Sequence, residues 1–265
     1  MVTPIVVCGA AGRMGQLLVR LIAAEPRARL AGAVEAAGHP ALGRDAGTVA
    51  GIAALGVLLS DAYAPAADSV ALDFTAPAAA LAHLEAAAAA GAAIVVGTTG
   101  FSPAERASAE ALARQTRAVI APNMSVSMTV LERLVATAAP ALGSGFDVEI
   151  VEVHHRLKRD APSGTALRLG EVVAETQGSA LAGRARFGRE GDAGPRSDAE
   201  IGILGVRGGD AVGDHTVYFL GAGERLELTH RAQSRDCLAR GALRAALWLA
   251  GQAPGLYGMR DVLGL

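Results

Sequence analysis

The segment Glu152-Val153-His154-His155-Arg156-Leu157-Lys158-Arg159-Asp160-Ala161-Pro162-Ser163-Gly164-Thr165-Ala166 gathers groups that could hold and protonate a small anion. Two histidines, a lysine and two arginines fall within six residues. Imidazole exchanges a proton near neutral pH, and ammonium and guanidinium groups supply fixed positive charge. The Pro-Ser-Gly-Thr turn that follows predicts a helix start. Ser163 is a good N-cap, and the N–H groups of Gly164 and Thr165 would point out of the helix N-terminus, where an anion is favoured. Gly164 would let a ligand approach the backbone closely, and Thr165 adds a hydroxyl donor. Each part alone has a plainer explanation: a solvated strand end, a wet basic face, an ordinary helix start. Their conjunction in one stretch points to a functional site.

Phe146 to Val153 mixes Val, Ile and Phe with single acidic residues, the pattern of a half-buried strand. Neighbouring side chains on a strand point to opposite faces. His154 and His155 can therefore serve one pocket only if the strand ends there. Ala166 to Glu175 has helical composition.

A second constellation opens the chain. Pro4 to Cys8 is an apolar run suited to a strand buried on both faces. Gly9-Ala10-Ala11-Gly12-Arg13-Met14-Gly15 follows, then a helix from Gln16 to Ala24. Strand, glycine-rich turn and helix form a dinucleotide-binding arrangement, although the spacing is Gly-x-x-Gly-x-x-Gly and a plain βα turn would also fit. Arg29 to Val34 predicts a second strand with Glu35 at its end, where an acid binds the adenine-ribose hydroxyls and disfavours a 2′-phosphate. Ala36 puts no arginine beside it. NADH is therefore expected to be preferred, or at least accepted, over NADPH.

The elements that must position these residues alternate at first. Strands are expected at Ser69 to Phe74, Ala93 to Val96 and Ala118 to Ala121, and helices at Pro77 to Ala90 and Pro103 to Thr116, with loop and a short strand across Gly38 to Ser60. Gly97-Thr98-Thr99-Gly100 and Pro122-Asn123-Met124-Ser125 close two of the strands, at carboxyl ends where open α/β sheets bind ligands. This predicts a doubly wound parallel sheet of the Rossmann type. After Ser125 the pattern changes to a helix (Val126 to Ala139), the basic strand, the helix from Ser163, a loop from Gly183 to Pro195, and strands Ile201 to Val206, His215 to Leu220 and Arg225 to His230. Hairpin-linked strands imply a second α+β domain on a mixed or antiparallel sheet. Leu226, Leu228 and His230 alternate with Arg225, Glu227 and Thr229, and an apolar face left uncovered would favour oligomerisation. The helix Asp236 to Ala250 would return to the first domain. The expected division is residues 1–125 with 236–265 for the dinucleotide and 126–235 for substrate and assembly.

Composition excludes several classes. The chain has 265 residues, a net charge of −2 and 3% aromatic residues, so neither a nucleic-acid surface nor base-stacking platforms are expected. Cys8 and Cys237 make no metal or redox motif, no metal is expected, and a reduced cytoplasmic setting fits. No signal peptide opens the chain, and the Ala-rich run from Ala76 to Val96, which holds His83, Glu85 and Gly91, predicts a helix and strand, not a membrane span.

The whole chain closely resembles the 4-hydroxy-tetrahydrodipicolinate reductase (dihydrodipicolinate reductase) family. The 152–166 segment carries the most specific match. Gly9 to Gly15, Gly97 to Gly100, Ala121-Pro122-Asn123, Gly255-Leu256-Tyr257 and Met259 to Leu263 match in order. The resemblance implies an NAD(P)H-dependent oxidoreductase of the diaminopimelate route to lysine. It implies that His154 and Lys158 are the catalytic donors and that His155, Gly164 and Thr165 contact a small dicarboxylate. It also implies nicotinamide-cofactor contacts from Gly9, Ala10, Ala11, Gly12, Arg13, Met14, Glu35, Gly97, Thr98, Thr99, Gly100, Ala121, Pro122, Asn123 and Met124, and a homotetramer built through the second domain's sheet. Ala36 stands where some members of the family have an arginine, and Met124 and Ser127 replace a common aromatic and a common glycine. The residues alone also admit a dehydrogenase of another small amino or imino acid, or a regulatory protein that senses NADH.

Overall fold

The computed structural model describes residues 2–265. The chain divides into two compact units, Met1–Val126 with Asp236–Leu265, and Ser127–Arg235.

The first unit runs β1 (Thr3–Cys8), α1 (Arg13–Ala24), β2 (Ala28–Val34), α2 (Ala46–Val49), β3 (Leu59–Ser60), β4 (Val70–Asp73), α3 (Pro77–Ala90), β5 (Ala93–Val96), α4 (Pro103–Ala113) and β6 (Arg117–Ile120). The apolar runs of β1, β4, β5 and β6 are buried almost throughout, as strands covered on both faces must be. Helix ends follow local chemistry. Pro77 opens α3 and Gly91 closes it in the left-handed region, while Ser102 and Glu105 form a capping box on α4. The helix α1 starts at Arg13, three residues before its expected start. Gly12 is its N-cap, and a glycine carries no side-chain signal of that role.

The second unit follows with α5 (Val126–Leu142), β7 (Asp147–His154), α6 (Gly164–Thr176), β8 (Ala185–Arg186), β9 (Ile201–Arg207), β10 (Gly213–Leu220) and β11 (Arg225–Ala232). Its sheet is mixed, in the order β11-β10-β7-β9-β8, with β10 antiparallel to both β11 and β7, and β9 parallel to β7 and β8. One face is covered: α5 and α6 bury Met128, Leu131, Val135, Leu169 and Val173 against Val148, Ile150, Ile203, Val217 and Phe219. Leu228 packs against this same core. The apolar side of β11 is therefore turned inward, and the uncovered face is the other one, with Val151, Val153, Leu204, Val206 and Tyr218 half-buried or exposed.

The chain then returns to the first unit through α7 (Asp236–Leu249), β12 (Gly255–Tyr257) and α8 (Met259–Leu263). The first sheet has the order β12-β6-β5-β4-β1-β2-β3 and is parallel throughout. Strand order reverses between β1 and β4, the switch point of a doubly wound sheet. The expected fold class, a Rossmann-type sheet with a second mixed-sheet α+β unit, is borne out. No described helix is long and apolar enough to cross a membrane.

Candidate active site

The strand β7 ends at His154, and its even-numbered residues are buried. That alternation places Glu152 and His154 on one face. Glu152 is fully buried and collects four donors. Its Oε2 accepts from His154 Nδ1 at 2.6 Å and from Arg207 Nη1 at 2.7 Å. Its Oε1 accepts from Arg207 Nη2 at 2.7 Å and from the Ser163 N–H at 3.0 Å. Burial pushes the Glu152 carboxyl up, but Arg207, His154 and Ser163 outweigh it and hold the group below the usual carboxylate range.

Strand pairing brings two further groups to this point. Arg207 is the register partner of His154 across β9, and His215 on β10 is the partner of Glu152. The His215 ring lies edge-on to His154 at 5.2 Å, and its Nε2 shares a 3.0 Å hydrogen bond with Ser163 Oγ. Burial, then the nearby His154, push His215 down to about 4, with His230 and Lys158 adding to the effect, so this ring is neutral at pH 7. Gly213 flanks the other ring nitrogen of His154. A Cβ there would lie 2.9 Å from Nε2, so any side chain at 213 would crowd that atom.

The helix α6 begins where the sequence places it. Ser163 is the N-cap and its Oγ accepts from the Ala166 N–H. Gly164 is exposed, and nothing lies within 4 Å of where a Cβ would be. Lys158 is mostly covered, and its Nζ donates to both oxygens of the exposed Asp160 at 2.8–2.9 Å. His155 is half-buried, its N–H bonded to Ala211 O. Arg156 and Arg159 are exposed.

In the first unit the register aligns Val34, Cys8, Asp73, Val96 and Ile120 across neighbouring strands. The loops that follow, at Gly9, Glu35, Phe74, Gly97 and Ala121, therefore emerge side by side at the carboxyl edge. A cavity of about 420 Å³ lies there, lined by Gly9, Gly12, Glu35, Ala36, Asp61 and His83 among others. Gly15 lets α1 close onto the turn, since a Cβ there would sit 2.0 Å from Gly9 O. Gly12 offers no side-chain cap to α1, which leaves the helix start available to a phosphate. Glu35 accepts from the Ala11 and Ala36 N–H groups at 2.9 Å each, which fixes its carboxylate at the cavity wall. The turn, the open helix start and the acid at the end of β2 fit a dinucleotide.

Two family models match the chain, described as dihydrodipicolinate reductase, N-terminus, over residues 3–124, and dihydrodipicolinate reductase, C-terminus, over residues 127–263. The chain belongs to the dihydrodipicolinate reductase family. Relatives called 4-hydroxy-tetrahydrodipicolinate reductase include one from Anaeromyxobacter dehalogenans, 55% identical over 99% of this chain and 98% of that protein. Another, from Geobacter metallireducens, is 54% identical over 98% of each. A dipicolinate-bound dihydrodipicolinate reductase from Paenisporosarcina sp. TG-14 shares the fold, with a TM-score of 0.75 and 24% identity over 98% of this chain and 99% of that one. The family resemblance drawn from the sequence is borne out. As a member of the dihydrodipicolinate reductase family the protein is a reductase, and its first unit has the sheet of an NAD(P)H-dependent oxidoreductase.

Within this dihydrodipicolinate reductase chain, the residues expected at a cofactor site divide into two groups. Gly9, Gly12 and Glu35 line the cavity; Arg13, Thr99, Gly100 and Pro122 are exposed, and Ala11, Gly97 and Asn123 half-buried. Ala10, Ala121 and Met124 are buried in the apolar core, and Met14 packs against it. Met124 is 1% exposed, so its departure from the family pattern is a core substitution. Thr98 is also buried, and its hydroxyl donates to Asp73 at 2.6 Å. Sequence reasoning missed the roles of Glu152, Arg207 and His215. Glu152 was legible two residues before His154 on the same strand face. Arg207 and His215 carried no local signal, because β-sheet register alone brings them in.

Proposed function

We propose that the protein reduces 4-hydroxy-tetrahydrodipicolinate to tetrahydrodipicolinate with NAD(P)H, in the diaminopimelate route to lysine. One hydride and one proton are added and one water is lost. The family supplies the identity of the ring; the single observation that carries the chemistry is the buried Glu152–His154 pair beside the start of α6.

The nicotinamide supplies the hydride. The chain's own residues do the rest. His154 gives the proton that the ring nitrogen side needs as negative charge develops there, a step worth roughly 10²–10⁴-fold. The N–H groups of Gly164 and Thr165 at the helix start hold one substrate carboxylate, with His155 and Lys158 as cationic or polar partners. Asp160 holds the Lys158 ammonium in place until the substrate carboxylate competes for it. On the cofactor, Gly9, Ala11, Gly12, Arg13 and Glu35, with Gly97, Thr99, Gly100, Pro122 and Asn123, form the binding edge, while the buried Ala10, Thr98, Ala121 and Met124 and the core-packed Met14 support it from beneath.

NADH is favoured over NADPH in this reading. Glu35 and Asp61 put two carboxylates on the cavity wall, and no Arg or Lys lines it among the described residues. The uncovered face of the second sheet, with Val151, Val153, Leu204, Val206 and Tyr218, is the surface through which we place a homotetramer. A cytoplasmic setting fits a reductase that draws on a pool of reduced nicotinamide. The test is direct. Purified protein given 4-hydroxy-tetrahydrodipicolinate should consume NADH, followed by loss of its absorbance, and no consumption with either nicotinamide would overturn the assignment.

A further inference from the structure

We infer that Glu152, clamped by Arg207, is a positioning residue: it fixes the tautomer and aim of His154 and ties that ring to the anion-binding start of α6. The inference rests on the reading of His154 as the proton donor.

The argument begins with what a carboxylate can do. Ionised Glu152 is acceptor-only, so the His154 nitrogen 2.6 Å from Oε2 must carry the hydrogen. The neutral ring is then the Nδ1–H tautomer, and the proton available for transfer sits on Nε2 of the charged ring. Nε2 is the nitrogen that Gly213 leaves uncrowded. An isolated buried carboxylate would be costly, and it is tolerated here because all four of its hydrogen bonds are supplied. Arg207 provides two of them as a fork, 2.7 Å to each oxygen, which also fixes the plane of the carboxylate.

The two oxygens divide the work. Oε2 orients His154, while Oε1 takes the Ser163 N–H one residue before Gly164. A shift of this one side chain would therefore move the proton donor and the substrate cradle together. His215 braces the same assembly from β10. It stacks edge-on against His154 and bonds Ser163 Oγ, and as a neutral ring it places no second cation beside the donor. Neither Arg207 nor Glu152 needs to touch substrate for this role.

Two measurements test it. Nitrogen-15 NMR of the full chain, with labelled histidine, should show neutral His154 protonated on Nδ1 and unprotonated on Nε2. In Glu152→Gln the tautomer preference should relax, and kcat should fall about 10- to 100-fold while KM for NADH stays within about twofold. A wild-type spectrum showing the Nε2–H tautomer overturns the inference, and so does a folded Glu152→Gln enzyme with kcat within about threefold of wild type. Should Glu152→Gln fail to fold, the wild-type spectrum decides alone. The underlying reading fails separately: His154→Gln with normal turnover removes the donor itself, whereas an inactive His154→Gln beside a normal Glu152→Gln removes only the positioning role.

Discussion

His154 and Lys158 sit four residues apart but in different electrostatic surroundings. His154 is buried and bonded to a buried carboxylate, whereas Lys158 pairs with an Asp160 that is 63% exposed. His154→Gln should lower kcat by about two orders of magnitude or more, with little change in KM for NADH, in a steady-state assay of NADH oxidation. Lys158→Ala should raise KM for the dicarboxylate and lower kcat. Its melting temperature should stay within about 4 °C of wild type, because an ion pair whose acid is largely exposed contributes only ~0–1 kcal/mol. Lost heat stability with unchanged kinetics would make the basic cluster a solvated face. The sequence made both residues visible because proton donors and fixed charge are read from residue type. It left Asp160 unassigned, since whether a neighbouring acid holds a lysine depends on how the loop after β7 folds back.

The β7, β10 and α6 elements share one acid-sensitive joint. His215 falls from an ordinary value of 6.5 to about 4 in the folded chain. The unfolded chain therefore binds more protons between those values, and stability falls as pH drops from about 6.5 to about 4, by up to about 3 kcal/mol. Glu152 has the same sign. Its folded value is held below 4.5, so its contribution is present above that pH and is lost as the carboxylate protonates. The midpoint of urea unfolding should fall as pH is lowered from 7 toward 4. His215→Gln, whose amide can reach the position of Nε2 and still bond Ser163 Oγ, should flatten the upper part of that profile; an unchanged profile would show that His215 is not buried neutral. At this scale long elements were legible from their apolar period, and α3 and β5 fall at their expected bounds. The short β8 and β12 were not, because two or three residues have no period. They exist through pairing with β9 and β6.

For the whole molecule, two expectations follow from surfaces that no single element owns. Calorimetric titration should show NADH binding at least as tightly as NADPH, because a 2′-phosphate would meet the carboxylates of Glu35 and Asp61 with no arginine or lysine on the cavity wall. Tighter NADPH binding by about tenfold or more would contradict this. Sedimentation of the full chain should give a tetramer that loses its assembly when Val153 and Val206, on the uncovered face of the second sheet, are replaced by Glu. A wild-type monomer would remove that face as an interface. The sequence by itself determined the fold class and the family, because apolar periodicity, glycine spacing and the 152–166 segment are local signals. It also placed His154 at the end of its strand and Ser163 at the start of its helix. Only the tertiary structure decided which groups hold His154 and which face of the second sheet is left open. Arg207 and His215 lie 53 and 61 residues further along the chain, and β-sheet register, a non-local property, sets them beside the His154 ring.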